Sequence, residues 1–133
     1  MVKLLLMNLV LIEPFNICRM TKENYVKLLE HLITEHYCVP RTIKGFWHIL
    51  SNYKENESKE YKSIFGEKNV NVVEIDNRTI SLAVRGSFSD NYIYLAVAYH
   101  IYLKKENKKE KIGSYKMVFS LDGGVMDDIL YFD

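Results

Sequence analysis

The sequence predicts an α+β fold: N-terminal helices packed on a curved antiparallel meander of four to five strands. Two observations carry this. Between Thr21 and Gly66 the apolar residues recur at helical spacing, and after Gly66 they alternate in twos. The longest alternation runs unbroken from Tyr92 to Leu103. Ile93, Leu95, Val97, Tyr99, Ile101 and Leu103 point one way, and Tyr92, Tyr94, Ala96, Ala98, His100 and Tyr102 the other. Side chains of a strand alternate between sheet faces, so one face is aliphatic and the other tyrosine-rich. Helices grouped first and strands grouped last place the helices on one face of an antiparallel sheet.

The elements follow in order within one domain of 133 residues, divided into an arm over 1–20, helices over 21–66 and a sheet over 67–133. Residues 2–12 are an apolar run, read as a buried strand and ended by Glu13-Pro14. Lys3 and the following apolar residues also look like the start of a signal peptide, but residues 13–18 lack a small-residue cleavage pattern. The run is shorter than the roughly 20 residues that span a membrane. A signal remnant, or an upstream mis-start with Met20 as the natural first residue, is the competing reading. Thr21 caps a helix over about 22–37, because its hydroxyl satisfies a free backbone N–H. Tyr25, Leu28, Leu29, Leu32, Ile33 and His36 form its stripe. Pro40 opens a second helix with a stripe of Ile43, Phe46, Trp47, Leu50 and Tyr53. A break is expected near Asn56–Ser58, and Gly66 ends the helical region.

Strands are expected over Asn69–Asp76, Thr79–Phe88, Tyr92–Lys104, Tyr115–Leu121 and Val125–Phe132. Turns are read at Asp76-Asn77, Ser89-Asp90-Asn91 and Asp122-Gly123-Gly124, with a solvated lysine-rich tip between Lys104 and Tyr115.

Charge excludes some functions. The net charge is +1, from 18 basic and 17 acidic residues, which argues against a dedicated nucleic-acid binder. Local imbalance is larger. Residues 104–116 carry six lysines against two glutamates. Residues 117–133 carry Asp122, Asp127, Asp128 and Asp133 and no basic residue. Cys18 and Cys38 are too few for a disulfide scaffold and fit two buried thiols in a reducing compartment, or a single disulfide tying the arm to the first helix. A cytoplasmic location follows, with export as the alternative if the N-terminal run is a signal remnant.

Catalytic motifs are missing from the sequence. It has no Gly-x-Ser-x-Gly elbow, no phosphate-cradling glycine loop and no metal-ligand spacing among His31, His36, His48 and His100. No cofactor is implied. Ten tyrosines in 133 residues point instead to an interface. Tyrosine supplies rigid, amphipathic contact area and is enriched among interface hot spots. The expected partner-binding residues are Tyr92, Tyr94, His100 and Tyr102 with Arg85 on the neighbouring strand, and Asp122, Asp127, Asp128 and Tyr131 at the acidic end. Acidic groups beside aromatics complement a basic cleft such as that of a nuclease.

The order of helices and meander, with its closing segment Tyr115-Lys-Met-Val-Phe-Ser-Leu-Asp-Gly-Gly-Val-Met-Asp, resembles the cystatin-like and NTF2-like architecture. The resemblance covers roughly residues 21–133 and implies a fold that hosts pocket enzymes, ligand carriers and toxin-immunity proteins. The resemblance does not choose among these functions. The lack of catalytic motifs, the tyrosine face and the acidic-aromatic end make the first expectation a non-enzymatic immunity or inhibitor protein that neutralises a partner toxin, with a nuclease as the candidate target. The second is a pocket protein that binds a small ligand or moves a proton at His100, helped by Asp122 or Asp127. A structural or secretion-machinery subunit is a third.

Overall fold

A computed structural model describes residues 21–66, 72–85 and 92–133. Three helices come first: α1 (Lys22–Glu35), α2 (Cys38–Asn56) and α3 (Ser58–Phe65). Four strands follow: β1 (Val72–Arg85), β2 (Tyr92–Lys105), β3 (Lys108–Ser120) and β4 (Val125–Phe132). The strands form one antiparallel sheet in the order β1-β2-β3-β4. This is the α+β layout that the change of period implies. The expected strand over residues 2–12 and Cys18 lie outside the described residues.

Local chemistry sets the helix ends. The Thr21 hydroxyl accepts from the Asn24 N–H at 3.2 Å and starts α1. Tyr37 takes a left-handed φ of 53° and turns the chain between α1 and α2. The second helix therefore starts at Cys38, two residues before Pro40. Proline still fits, because the N–H groups of a first helical turn have no intrahelical partner. The break between α2 and α3 falls at Glu57, inside the expected window.

The core lies between the helices and one face of the sheet. Leu32, Phe46, Leu95, Val97, Ile101, Tyr115 and Phe119 are fully buried there. Trp47 departs from its expected place in the stripe and is 45% exposed. Thr42, Phe46 and Leu50 carry the buried stripe instead, together with Cys38. Among them Thr42 is polar, and its hydroxyl donates to the Cys38 carbonyl one turn back at 2.7 Å. That bond satisfies the hydroxyl, which explains how a threonine occupies a core position.

Two strand expectations are corrected. Asp76-Asn77 is no hairpin turn. β1 runs straight through it, with Asn77 and Arg78 opposing only Tyr99 of β2. Asn77 has a left-handed φ of 54°, and its N–H donates to the Asp76 carboxylate at 2.8 Å. That local turn chemistry inserts one extra residue, a β-bulge, and the strand keeps its direction. Nor is the lysine-rich tip a long loop. Lys105 pairs with Lys108, so Glu106-Asn107 alone form the turn and most of the lysines lie in strands.

The Asp122-Gly123-Gly124 turn is present, and Gly123 has a φ of 89°. Arg41 of α2 holds it. One guanidinium nitrogen donates to the Gly123 carbonyl at 2.6 Å and to the His36 carbonyl at 3.3 Å. The same group lies 5.0 Å from the Phe119 ring centre. A charged donor thus joins the α1–α2 corner to the β3–β4 turn. Replacing Arg41 by Met keeps the apolar stem and removes the donors. We expect this variant to lose about 1.5–3 kcal/mol in urea unfolding, the range for hydrogen bonds from a charged group. An unchanged midpoint would show that the turn holds without it.

Candidate interaction face

A strand buries alternate residues, so the core on one side leaves a second face on the other. On β2 that face carries Tyr94, Ala96, Ala98, His100 and Tyr102. Ala96 is nearly fully buried, at 4% exposure, and the other four are half-buried. Among the described residues, no helix packs on this side.

Register assembles the face in rows across the sheet. Asp76, His100, Ser114 and Tyr131 form one row. Thr79, Ala98, Lys116 and Ile129 form the next, followed by Ser81, Ala96, Val118 and Asp127. Ala83, Tyr94 and Ser120 lie beyond. On β1 and β2 the middle of the face is made of small side chains, and on β3 Lys116 and Val118 stand between these and the β4 residues. Ala96 and Ala98 form a low strip between Tyr94 at one end and His100 and Tyr102 at the other, and Ile129 and Tyr131 stand two strands away on β4. Ile129 is 44% exposed and Tyr131 60%.

One end of the face is a polar network. Lys109 Nζ lies 2.8 Å from Asp76 Oδ2 and 3.9 Å from Glu74 Oε1. It also stands 4.4 Å from the Tyr102 ring centre. The Tyr102 hydroxyl accepts from Asn77 Nδ2 and lies 3.3 Å from His100 Nδ1. The bulge at Asn77 makes this network, because it aims the amide at the tyrosine. Lys109 pulls the Asp76 carboxyl below its ordinary pKa, and the Asn77 N–H adds to the effect. Asp76 in turn raises the Lys109 pKa. One oxygen of Glu74, Oε2, is buried without a hydrogen bond, and Lys104 Nζ stands 3.8 Å from it.

The expected site residues divide. Tyr94, His100, Tyr102, Asp127 and Tyr131 share this face. Arg85 and Tyr92 pair through their backbones at its end. Their side chains lie outside the described residues. Asp128 is turned away. It pairs with Met117 on the helix side, where its carboxylate accepts from the Tyr115 hydroxyl at 3.1 Å. Burial, and then the Asp128 charge, push the Tyr115 pKa up. Asp122 sits exposed in the β3–β4 turn. Asp133 stands 3.9 Å from Lys111. The four carboxylates at the end of the chain therefore do not make one acidic surface.

Proton transfer at His100 loses its expected helpers. Asp127 stands level with Ala96, four residues along β2 from His100 and two strands away. Four residues of strand already span roughly 13 Å. Asp122 lies farther along in the same direction. The carboxylate level with His100 is Asp76, which Lys109 engages. Cys38 is buried, and burial raises its thiol pKa, with Arg41 opposing that shift, so it is a packing residue and a poor nucleophile. Among the described residues, no three His, Cys, Asp or Glu side chains cluster as metal ligands. No described helix is long and apolar enough to cross a membrane.

Sequence reading missed Glu74, Asp76, Asn77, Lys109 and Ile129. Ile129 was legible, since it alternates with Asp127 and Tyr131. The others depend on the bulge and on Lys109 crossing from β3 to β1.

The network makes stability depend on pH at both extremes. A carboxyl with a depressed folded pKa contributes fully above its unfolded value of about 3.9. That contribution is lost as the pH falls through the lower folded value. The raised lysine contributes below about 10.4 and loses its contribution as the pH rises through the higher folded value. Asp76→Asn should therefore flatten the acid limb of a melting-temperature profile and trim the alkaline one. A profile matching the wild type at both ends would show that the pair does not act on folding. No family model matches this chain, and neither a curated protein nor a solved structure does, so the likeness to the cystatin-like and NTF2-like architecture stays at the order of elements.

Proposed function

We propose that this protein is a non-enzymatic binding module of the inhibitor class. Its sheet face opposite the helices docks on another protein, and a toxin domain is the partner to test first. One observation carries the reading. Tyr94, Tyr102 and Tyr131 share a face with a floor of Ala96 and Ala98, and no described helix covers it. Small residues between aromatic ones leave room for a protruding side chain, and aromatic anchors dominate interface energetics. Asp76, Asn77, Tyr102 and Lys109 at the end of the face engage one another, which suits the rim of an interface.

Tagged wild type and a Tyr94→Ala/Tyr131→Ala variant, used as baits on one host lysate, test this. Wild type should retain one stoichiometric protein, and titration should inhibit the activity of that protein. The variant should keep its circular dichroism and bind at least about 30-fold more weakly, equivalent to about 2 kcal/mol. Equal retention by both baits would remove the face from the proposal.

A further inference from the structure

The two edges of the sheet differ. The β1 edge is broken by the bulge at Asn77 and Arg78, a device that blunts edge strands. β4 has a bulge of its own at Met126, but from Asp127 to Phe132 it pairs regularly with β3, and it contains no Pro, Gly or Lys. Its outward groups can be assigned. The Asp133 N–H donates to the Ile112 carbonyl at 2.9 Å. Backbone groups alternate sides along an antiparallel strand. Asp127, Ile129 and Tyr131 therefore bond to β3, and Asp128, Leu130 and Phe132 turn their N–H and C=O groups outward. Asp127 agrees independently, because its Oδ1 accepts from the Asp128 N–H at 2.9 Å. A carboxylate thus caps the first outward donor. Among the described residues, no strand pairs with the groups of Leu130 and Phe132.

We infer that the β4 edge receives an extended basic segment of a partner protein, added as a fifth strand alongside Asp128–Phe132. The inference rests on the reading of the molecule as a protein-binding module and names the chemistry of the partner. Charge selects the occupant. Asp127 and Asp128 are adjacent, so one carboxylate stands on each face of the strand, and β4 carries no cation. A second copy paired edge to edge would bring four carboxylates into a few residues of ladder, and like charges across a ladder repel. Two consecutive basic residues on an incoming strand would meet both carboxylates. A cation near Asp127 also draws its carboxylate from the Asp128 N–H and frees that donor for pairing. Val125, Met126, Ile129 and Tyr131, each at least 44% exposed, flank the acidic pair with apolar surface. Strand addition of this kind takes affinity from the main chain and specificity from alternate side chains.

The probe is a capped peptide of sequence Val-Thr-Val-Lys-Lys-Val-Thr, titrated into 15N-labelled protein up to roughly 1 mM. The control peptide carries Glu-Glu in place of Lys-Lys. The Asp128, Leu130 and Phe132 amides should shift, and the Leu130 amide should exchange more slowly with solvent. The Glu-Glu peptide should leave them unmoved, and Asp127→Asn should weaken binding at least tenfold while preserving the spectrum. Shifts confined to Tyr94 and Tyr102 would overturn the edge and leave the sheet face as the binding surface. No shift anywhere would also overturn it, and the bait comparison above would then decide the broader reading alone. Intermolecular contacts between Leu130 of two copies would overturn it in favour of self-pairing.

Discussion

The seam between α2 and β3 fixes everything else. Gly45 lets the helix come close, because a Cβ there would run into Met117 Cε and the Tyr115 hydroxyl. Phe46 then meets the Tyr115 ring edge-on, with centres 5.7 Å apart. Tyr115 is fully buried, and a buried hydroxyl without a partner costs about 1–3 kcal/mol. Asp128 supplies that partner from β4. One ring thus joins a helix to two strands. Side chains in a strand alternate with a period of two, so committing Tyr115 to the core commits Ser114 and Lys116 to the far side. The cross-strand register carries that choice to His100 on β2 and Tyr131 on β4.

Much of this was legible in the sequence, for a physical reason. The core positions of β2, the Thr21 cap and the Asp122-Gly123 turn are set by local pattern or local chemistry. Trp47 was misplaced because it sits beside Phe46 in a helical stripe, and periodicity does not rank neighbours. The bulge at Asn77 was misread because Asp-Asn is ordinary turn chemistry, and only pairing with β2 distinguishes a turn from a bulge. The acidic end was legible as charge but not as geometry. Asp127 and Asp128 are adjacent in sequence and therefore lie on opposite faces of a strand. Composition grouped them, and the pleat separates them.

The polar end of the face explains why titratable residues in proximity do not by themselves make a reaction centre. Lys109 is held between two carboxylates and above the Tyr102 ring. Tyr102 is held by Asn77 and faces His100. Asp76, Asn77, Tyr102 and Lys109 direct their polar atoms at one another, while Glu74 Oε2 is left without a hydrogen bond. A general base must instead present a lone pair within hydrogen-bond reach of a substrate proton. Such a network fixes rotamers, and fixed rotamers reduce the entropy lost when a partner docks.

The separation of Asp127 from Asp128 gives β4 two roles from one dipeptide. Asp128 points inward and stabilises the seam through Tyr115. Asp127 points to the open face and bends back to the Asp128 N–H. Neither position is interchangeable with the other. At the first, the buried Tyr115 hydroxyl needs an acceptor, and the Asp128 carboxylate supplies it. A carboxylate at the second covers a donor that a free edge would otherwise present to any extended chain. Its cover is conditional, since a carboxylate yields to a cation where a proline or a bulge would not. Beyond the bulge at Met126, the stretch from Asp127 to Phe132 is guarded by charge, so it admits partners of one sign and resists pairing with its own kind.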